Sequence, residues 1–509
     1  MAIKRYQATA DNTITNAFQV DLTTRGTGSN MGRSDILEVF SIYGQAAGTS
    51  TDAELSRILI NFPAETMATD RSNGILPASG SVSFFLKMFN AKHRQTTPQT
   101  YTISVNALSG SWQEGHGLDM EGYTDLTYDK VGSNWIRRTG TTSWDTAGGQ
   151  YYLDSSSSFE QEFDSGLENM EIDITELVEQ WINSAGNVLG SKDRDGVIVK
   201  LASTFEAQSD SNSTGSVTTF YTKKFFSRTS EFFFKRPVIE ARWDSAVRDN
   251  RGNFYISSSL STPTDNLNNL YMYNYVRGNL RDIGNRASNL PALTLYHASA
   301  SVPEIGSRKG FLNSSNVAVE HLTSSRVSTG LYKATFAVTA GVVTDTYPYL
   351  VDVWTIGGTQ VHTGSAFLPK THALSAYNPN QTYVISIPNL KQQYNKRQIE
   401  RFRLFVREKN WSPNIYTKAV ASPETILIDS ASYQLTRLAD DQIVINYGTS
   451  STNHTMLSYD VSGNYFDLDM KMLEPGYLYG LKFSFYEDSI GSYIEQPHTF
   501  TFRVVEDEY

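Results

Sequence analysis

No cysteine occurs anywhere in the 509 residues. Disulfide staples, thiolate nucleophiles and cysteine-ligated zinc are thereby excluded. No apolar run approaches the length of a membrane span. The opening MAIKRYQATADNTITNAF contains no apolar stretch of the kind that directs secretion. The expectation is a chain made in a cytoplasm, with no signal peptide and no membrane insertion, which reaches any outside location by other means such as lysis. Positive charge is in short supply: 43 Lys and Arg stand against 53 Asp and Glu, a formal net charge of −10. That balance argues against nucleic acid as a partner. Sustained heptads are missing too, so no coiled-coil stalk is written into the chain.

Catalytic signatures are equally scarce. The eight histidines (His93, His116, His297, His321, His362, His372, His454 and His498) form no HExxH arrangement and no metal-binding pair. Gly26-Thr-Gly28 and Gly148-Gly149 do not stand between a strand and a helix, so no phosphate-binding loop is read. The expectation is therefore no catalytic residue, no cofactor and no metal centre.

What the chain has is aromatic and β-forming. It carries 29 Tyr and 26 Phe, residue types that favour strands. Its length calls for more than one core. Ile36–Tyr43, Glu54–Phe62, Ser81–Phe89 and Tyr101–Leu108 read as strands, with Leu55, Ile58 and Ile60 available to a core. Met170–Leu201 reads as strand, helix, strand. Ile172 and Ile174 alternate with charge, and Thr175 is placed to cap a helix. Leu177, Val178, Trp181 and Ile182 then form one apolar stripe, and the run Gly196–Leu201 returns as a buried strand. Phe220–Phe234 and Pro237–Trp243 follow. Further on, Gly330–Val338 alternates cleanly, and Tyr349–Ile356 turns at Gly357-Gly358 into Thr359–Thr363. Tyr383–Ile387 reads as a strand, Pro388–Tyr394 as a short helix and Ile399–Arg407 as one long strand. Tyr479–Tyr486 and His498–Val505 close the chain.

The fold class expected is all-β: an N-terminal jelly-roll sandwich with one short helix, followed by two smaller Ig-like β-sandwich domains. The layout is an N-terminal arm at 1–35, the jelly roll at 36–245, a linker at 246–265, an Ig-like sandwich at 266–370 and a C-terminal one at 371–509. The arm is polar and has few apolar residues. It reads as an assembly element that orders on contact with a neighbour, or as a first strand tucked into its own jelly roll.

The order Leu55-Ser-Arg-Ile-Leu-Ile-Asn-Phe62, Ser81–Phe89, Ser111-Trp-Gln-Glu-Gly115, Asn134-Trp135, Trp144, Asp173-Ile-Thr175 and Trp181 resembles the DNRLRE-type jelly roll, a relative of carbohydrate-binding modules. The resemblance spans roughly residues 35 to 245. It implies that the Trp-bearing loop follows a strand of the main sheet and that the Asp-Ile-Thr helix closes one end. With Arg403–Arg407, Tyr447–Thr449, Leu457–Phe466 and Pro475–Tyr477, the whole chain looks like virion structural proteins of large contractile-tailed phages of the cyanophage kind.

Two stretches offer possible ligand sites. Trp112, Trp135 and Trp144 read either as a sugar-stacking platform or as packing against a sheet edge. Glu114-Gly-His-Gly-Leu-Asp-Met-Glu121, with Asp125 and Asp129 beyond it, reads as a solvated acidic loop or a calcium site without EF-hand spacing. The same acids offer a carboxylate pair for glycoside hydrolysis. The leading functional expectation is a non-enzymatic structural component of a tailed-phage virion: a neck, tail, fibre-attachment or capsid-decoration protein. Its partners would be other virion proteins and copies of itself. The alternatives are an adhesion protein that binds host-surface glycan and a polysaccharide hydrolase.

Overall fold

The computed structural model describes the chain except residues 1, 43–52, 94–98, 119–130, 183–188, 209–211, 217–219, 285–289, 300–306, 372–381, 413–414, 416–424, 450, 488 and 507–509. It divides into two compact units, Ala2–Asp244 and Ser245–Tyr509. Strands dominate both.

In the first unit the chain runs β1 (Ile3–Gln7), β2 (Ala10–Thr15), β3 (Ile36–Ile42), β4 (Glu54–Asn61), α1 (Ala64–Ser72), β5 (Ser83–Met88) and β6 (Tyr101–Ala107). It continues through β7 (Ser158–Phe163), β8 (Met170–Asp173), α2 (Thr175–Ile182), β9 (Val197–Leu201), β10 (Phe220–Phe226) and β11 (Val238–Arg242). One sheet has the order β1-β11-β5-β8. The other runs β10-β3-β4-β9-β6-β7, with β2 also on β4. If β1, β4, β5, β6, β7, β8, β9 and β11 are numbered one to eight, the sheets read 1-8-3-6 and 2-7-4-5. Two interlocked Greek keys give that order, so the unit is a jelly roll. The remaining strands, β2, β3 and β10, widen the second sheet.

The inner faces of the two sheets meet in one core. Leu37, Val39, Ile58, Ile60, Ile103 and Val105 of the second sheet face Phe84, Leu86, Met88 and Ile239 of the first. Helix α2 seals this core with Leu177, Val178, Trp181 and Ile182, all buried, as its apolar stripe requires. Thr175 begins the helix. Its backbone N–H donates to Asp173 Oδ1 at 2.9 Å, and its hydroxyl accepts from Phe84 N at 2.8 Å. Helix α1 was not expected. It follows Pro63, buries Ala64 and Met67, and is tied to α2 by a two-point Arg71–Glu179 ion pair at 3.0 and 2.6 Å.

The segment expected as an N-terminal arm belongs to the sheets. β1 pairs along its length with β11, and β2 with β4. Tyr6 enters the main core, and Ile14 is fully buried on the opposite face of the second sheet. The physical reason lies in the polar residues of β2: Asp11, Asn12, Thr13 and Thr15 are all buried and find hydrogen-bond partners there, so polarity does not signal exposure.

The second unit contains two Ig-like β-sandwiches. In the first, one sheet is built on Asn268–Tyr273 and Leu331–Ala337, the other on Ala292–Ala298, Tyr349–Ile356 and Thr359–Thr363. Tyr332, Ala334, Phe336 and Val338 point inward with Trp354, Leu293 and Leu350. In the second, Leu478–Glu487 lies between Ala431–Arg437 and Phe500–Val505, facing Ile399–Arg403 and Gly463–Asp469. Its core is aromatic: Tyr433 stacks on Phe466 at 4.3 Å, and Phe402 on Phe466 at 5.2 Å.

Three further expectations change here. Residues 246–265 are not a loose linker. Phe254 is fully buried in the core of the first Ig-like sandwich, Tyr255 bridges to Lys370, and Arg251 holds the buried Asp352. Val247 and Asp249 pair with Tyr459, and Asn250 Nδ2 donates to the Tyr459 hydroxyl at 3.1 Å. This stretch therefore laces the two Ig-like sandwiches together. Pro388–Tyr394 is a turn leading into the strand Gln393–Asn395, which runs parallel to Phe500–Val505 and buries Tyr394. Ile399–Arg407 breaks at Leu404 into Ile399–Arg403 and Phe405–Glu408, because the halves pair with different strands.

Candidate functional site

The second sheet of the jelly roll has two dressed faces. Along β4, Ile58 and Ile60 face the main core, while Leu55, Arg57 and Leu59 face the other way. On that outer face a second apolar layer forms from Ile14, Leu55, Leu59, Leu108, Ile198, Trp135 and Trp144, with Trp112 and Tyr151 against it. The described parts of the β6–β7 connection thus lie over the sheet as a cover.

The three tryptophans are built into this cover. Trp135 and Trp144 are 8% and 5% exposed. The Trp144 indole N–H donates to Asn134 O at 2.9 Å, and that of the part-buried Trp112 to Asp195 O at 2.8 Å. The rings of Trp135 and Trp144 meet the sheet rather than solvent, which corrects the sugar-platform reading of Trp112, Trp135 and Trp144 for those two, while Trp112 packs part-buried against the same layer. A stacking platform needs an open ring face, and Trp135 and Trp144 have none.

Beneath the cover lies a charge cluster. Arg57 donates from Nε and Nη2 to the two carboxylate oxygens of Glu206, each at 2.8 Å, and from Nη1 to Gly148 O at 2.8 Å. Its guanidinium sits 5.1 Å from the Trp135 ring. Lys200 Nζ is 3.9 Å from Glu206. Burial alone would raise the Glu206 carboxyl, but Arg57 and Lys200 more than reverse this and hold it below its ordinary range. At Gly148, φ is +89° and an added Cβ would meet Arg57 and Trp135 at 2.8 Å, so this close approach requires glycine.

A second polar cluster fixes the ends of the cover. Glu114 accepts from Arg228 at 2.8 and 2.5 Å and from Asp11 N at 2.9 Å. Asn30 Oδ1 accepts from His116 N and Gly117 N, and its amide donates to Val131 O at 2.7 Å. Asn12 donates to Ser133 O at 3.0 Å and accepts from Met31 N at 2.8 Å. A Cβ at Gly115 would fall 1.7 Å from Asn30 Oδ1, which explains the glycines of this motif. Asp11 is fully buried. One of its oxygens accepts from Arg228 N at 2.6 Å, and the other has no hydrogen-bond partner. Burial, opposed in part by Arg228 and reinforced by Glu114, pushes the Asp11 carboxyl up to about 7.

Of the carboxylates of the acidic loop, only that of Glu114 is described. It is committed to Arg228 and Asp11 rather than offered to a cation or a substrate. Asp119, Glu121, Asp125 and Asp129 lie outside the described residues. Among the described residues, no three His, Asp or Glu side chains gather as a metal site, and no helix is long and apolar enough to cross a membrane.

Sequence reasoning missed Arg57, Glu206, Asn12 and Asn30. The signal for Arg57 was present: a single charge inside the apolar run Leu55–Phe62 needs a buried partner. Nothing in the sequence marks Glu206 as that partner.

No family model and no curated protein matches this chain. Among solved structures it is similar to fibronectin(III)-like modules of Clostridium thermocellum CbhA (8% identity, 52% of this chain and 93% of that one, TM-score 0.14). It is also similar to a chimeric titin Z1Z2 tandem (11% identity, 43% and 85%, TM-score 0.15), and to native Escherichia coli alpha-2-macroglobulin (10% identity, 88% and 21%, TM-score 0.15).

Proposed function

We propose that this chain is a non-enzymatic structural component of a tailed-phage particle, working through protein–protein contacts made by its β-sandwiches. One observation carries the reading. The outer face of the jelly-roll sheet is occupied by the chain's own β6–β7 connection, and the charged groups there are spent on holding that cover down. Such a face supports rigidity rather than turnover or sugar stacking. The motif resemblance to virion proteins, the absence of cysteine and the three sandwich domains support the same reading. Contact surface is available elsewhere. On the C-terminal sandwich, a groove of about 360 Å³ is lined by Tyr383, Phe485, Ile490 and Ile494 together with Glu487 and Glu495.

The test is immuno-electron microscopy of gradient-purified particles from the phage that encodes the chain, using antibody raised against the whole protein. Label at one recurrent place on the particle is expected. A chain left wholly in the soluble lysate, with unlabelled particles, would refute the proposal.

A further inference from the structure

Lys223 is fully buried, yet it is a lysine on a core-facing position. In β10 its inward neighbours are Tyr221 and Phe225, so its stem runs into the aromatic interior between the two sheets. Its Nζ lies 4.9 Å from the Phe163 ring and 5.2 Å from the Phe225 ring. At the end of that stem, Nζ is 2.8 Å from the side-chain oxygen of Asn90. Two backbone carbonyls, Gly166 O at 2.9 Å and Glu168 O at 2.6 Å, hold it in place.

Asn90 is held just as firmly. It follows β5, in the opposite sheet, and bridges to Phe225. The flanking bonds Phe226 N to Phe89 O and Ala91 N to Lys224 O fix its backbone beside β10, and Asn90 N donates to Asn169 Oδ1 at 2.9 Å. A buried amine and a half-buried carboxamide are thus pinned against each other, and holding two reactants in place in this way makes their encounter intramolecular.

We propose that Lys223 and Asn90 form an intramolecular isopeptide bond that joins the two sheets of the jelly roll. Lys223 Nζ, as the free amine, adds to Cγ of Asn90. The Nζ–Cγ bond forms, the Cγ–Nδ2 bond breaks, and Nδ2 leaves as ammonia with the proton that Nζ gives up. Overall, a lysine ammonium and a carboxamide become a secondary amide and an ammonium ion. No oxidant, reductant or cofactor takes part.

Burial, opposed in part by Glu168, pushes the Lys223 amine down to about 8, so about half of it is uncharged at pH 8. The Glu168 carboxylate acts on this lysine through its charge alone, while its Oε1 accepts from Asp164 N and Ser165 N. In a chain without cysteine, the product would do the work of a disulfide by tying β10 to the end of β5.

Intact-mass spectrometry and peptide mapping of the full-length protein decide the matter. The expected result is a mass below the sequence mass by one ammonia, and after digestion a branched peptide that joins the Asn90 and Lys223 segments. Lys223→Arg and Asn90→Ala should each restore the unmodified mass, allowing for the substitution, and abolish the branched peptide. Wild-type protein at its full sequence mass, with the two residues in separate linear peptides, overturns the proposal. An ammonia loss that persists in Lys223→Arg overturns it as well. The wild-type peptide map decides even where a variant fails to fold.

Discussion

Arg57 grips Glu206 with two parallel hydrogen bonds of 2.8 Å, and with its third nitrogen it fastens Gly148 of the loop above. One guanidinium thus ties together the sheet, the segment after β9 and the cover. All of this happens out of contact with water, where an ion pair stays favourable only if its hydrogen bonds are complete.

Breaking that pair on one side strands the other charge. Arg57→Met should destabilise the first unit by about 3–5 kcal/mol, read from urea unfolding. The double variant Arg57→Met/Glu206→Met should recover much of the loss, because no buried charge is then left alone. A single variant as stable as the parent would show that the pair is open to solvent.

Asp11 has the opposite character. Its folded-state pKa, about 7, lies above the ordinary 3.8, so the native state holds its proton more tightly than the unfolded state does. The contribution of this group to stability is therefore greatest at low pH. It declines as pH rises from about 4 to about 7, by on the order of a few kcal/mol. Asp11→Asn should remove this slope and melt higher than the parent above pH 7. Thermal melts from pH 4 to 8 check this, and parallel curves for the two proteins would contradict it.

Trp181 fills the end of the main core and is 1% exposed. Trp181→Ala should cost about 3–5 kcal/mol, measured by urea denaturation. Unchanged stability would mean that α2 does not close the jelly roll.

Deleting residues 2–15 removes β1 from one sheet and β2 from the other. The truncated protein should lose the cooperative unfolding transition of the first unit in calorimetry, while Ser245–Tyr509 keeps its own. A truncated first unit that still melts cooperatively would restore the picture of a dispensable arm.

How far the fold was legible depended on period and apolarity. β3 to β6, β9 and β11 were visible because their apolar residues are dense. Helix α2 was visible from its stripe of Leu177, Val178, Trp181 and Ile182. β1 and β2 were not, since Lys4, Arg5, Asp11, Asn12 and Thr13 look exposed until their partners are known. Asp70 for Lys4, Glu240 for Arg5 and Ser133 for Asn12 are all remote in the chain. Helix α1 escaped notice because its apolar side is just Ala64, Met67 and the partly buried Ala68. At the site, the tryptophans were found but their orientation was not. Whether a loop tryptophan faces solvent or sheet depends on Gly148, Asn134 and Asp195, and local sequence does not reveal those contacts.

Hydrogen exchange across residues 131–151 of the isolated full-length chain tests the covered-face account most directly. Gly148 N donates to Trp135 O, Trp144 N to Ile136 O and Trp135 N to Thr27 O. If the cover is a fixed layer, these amides should exchange as slowly as those of β4 and β9 beneath them. Exchange as fast as that of an exposed turn would show that the cover lifts away, leaving the sheet face open to a ligand, and would contradict the account.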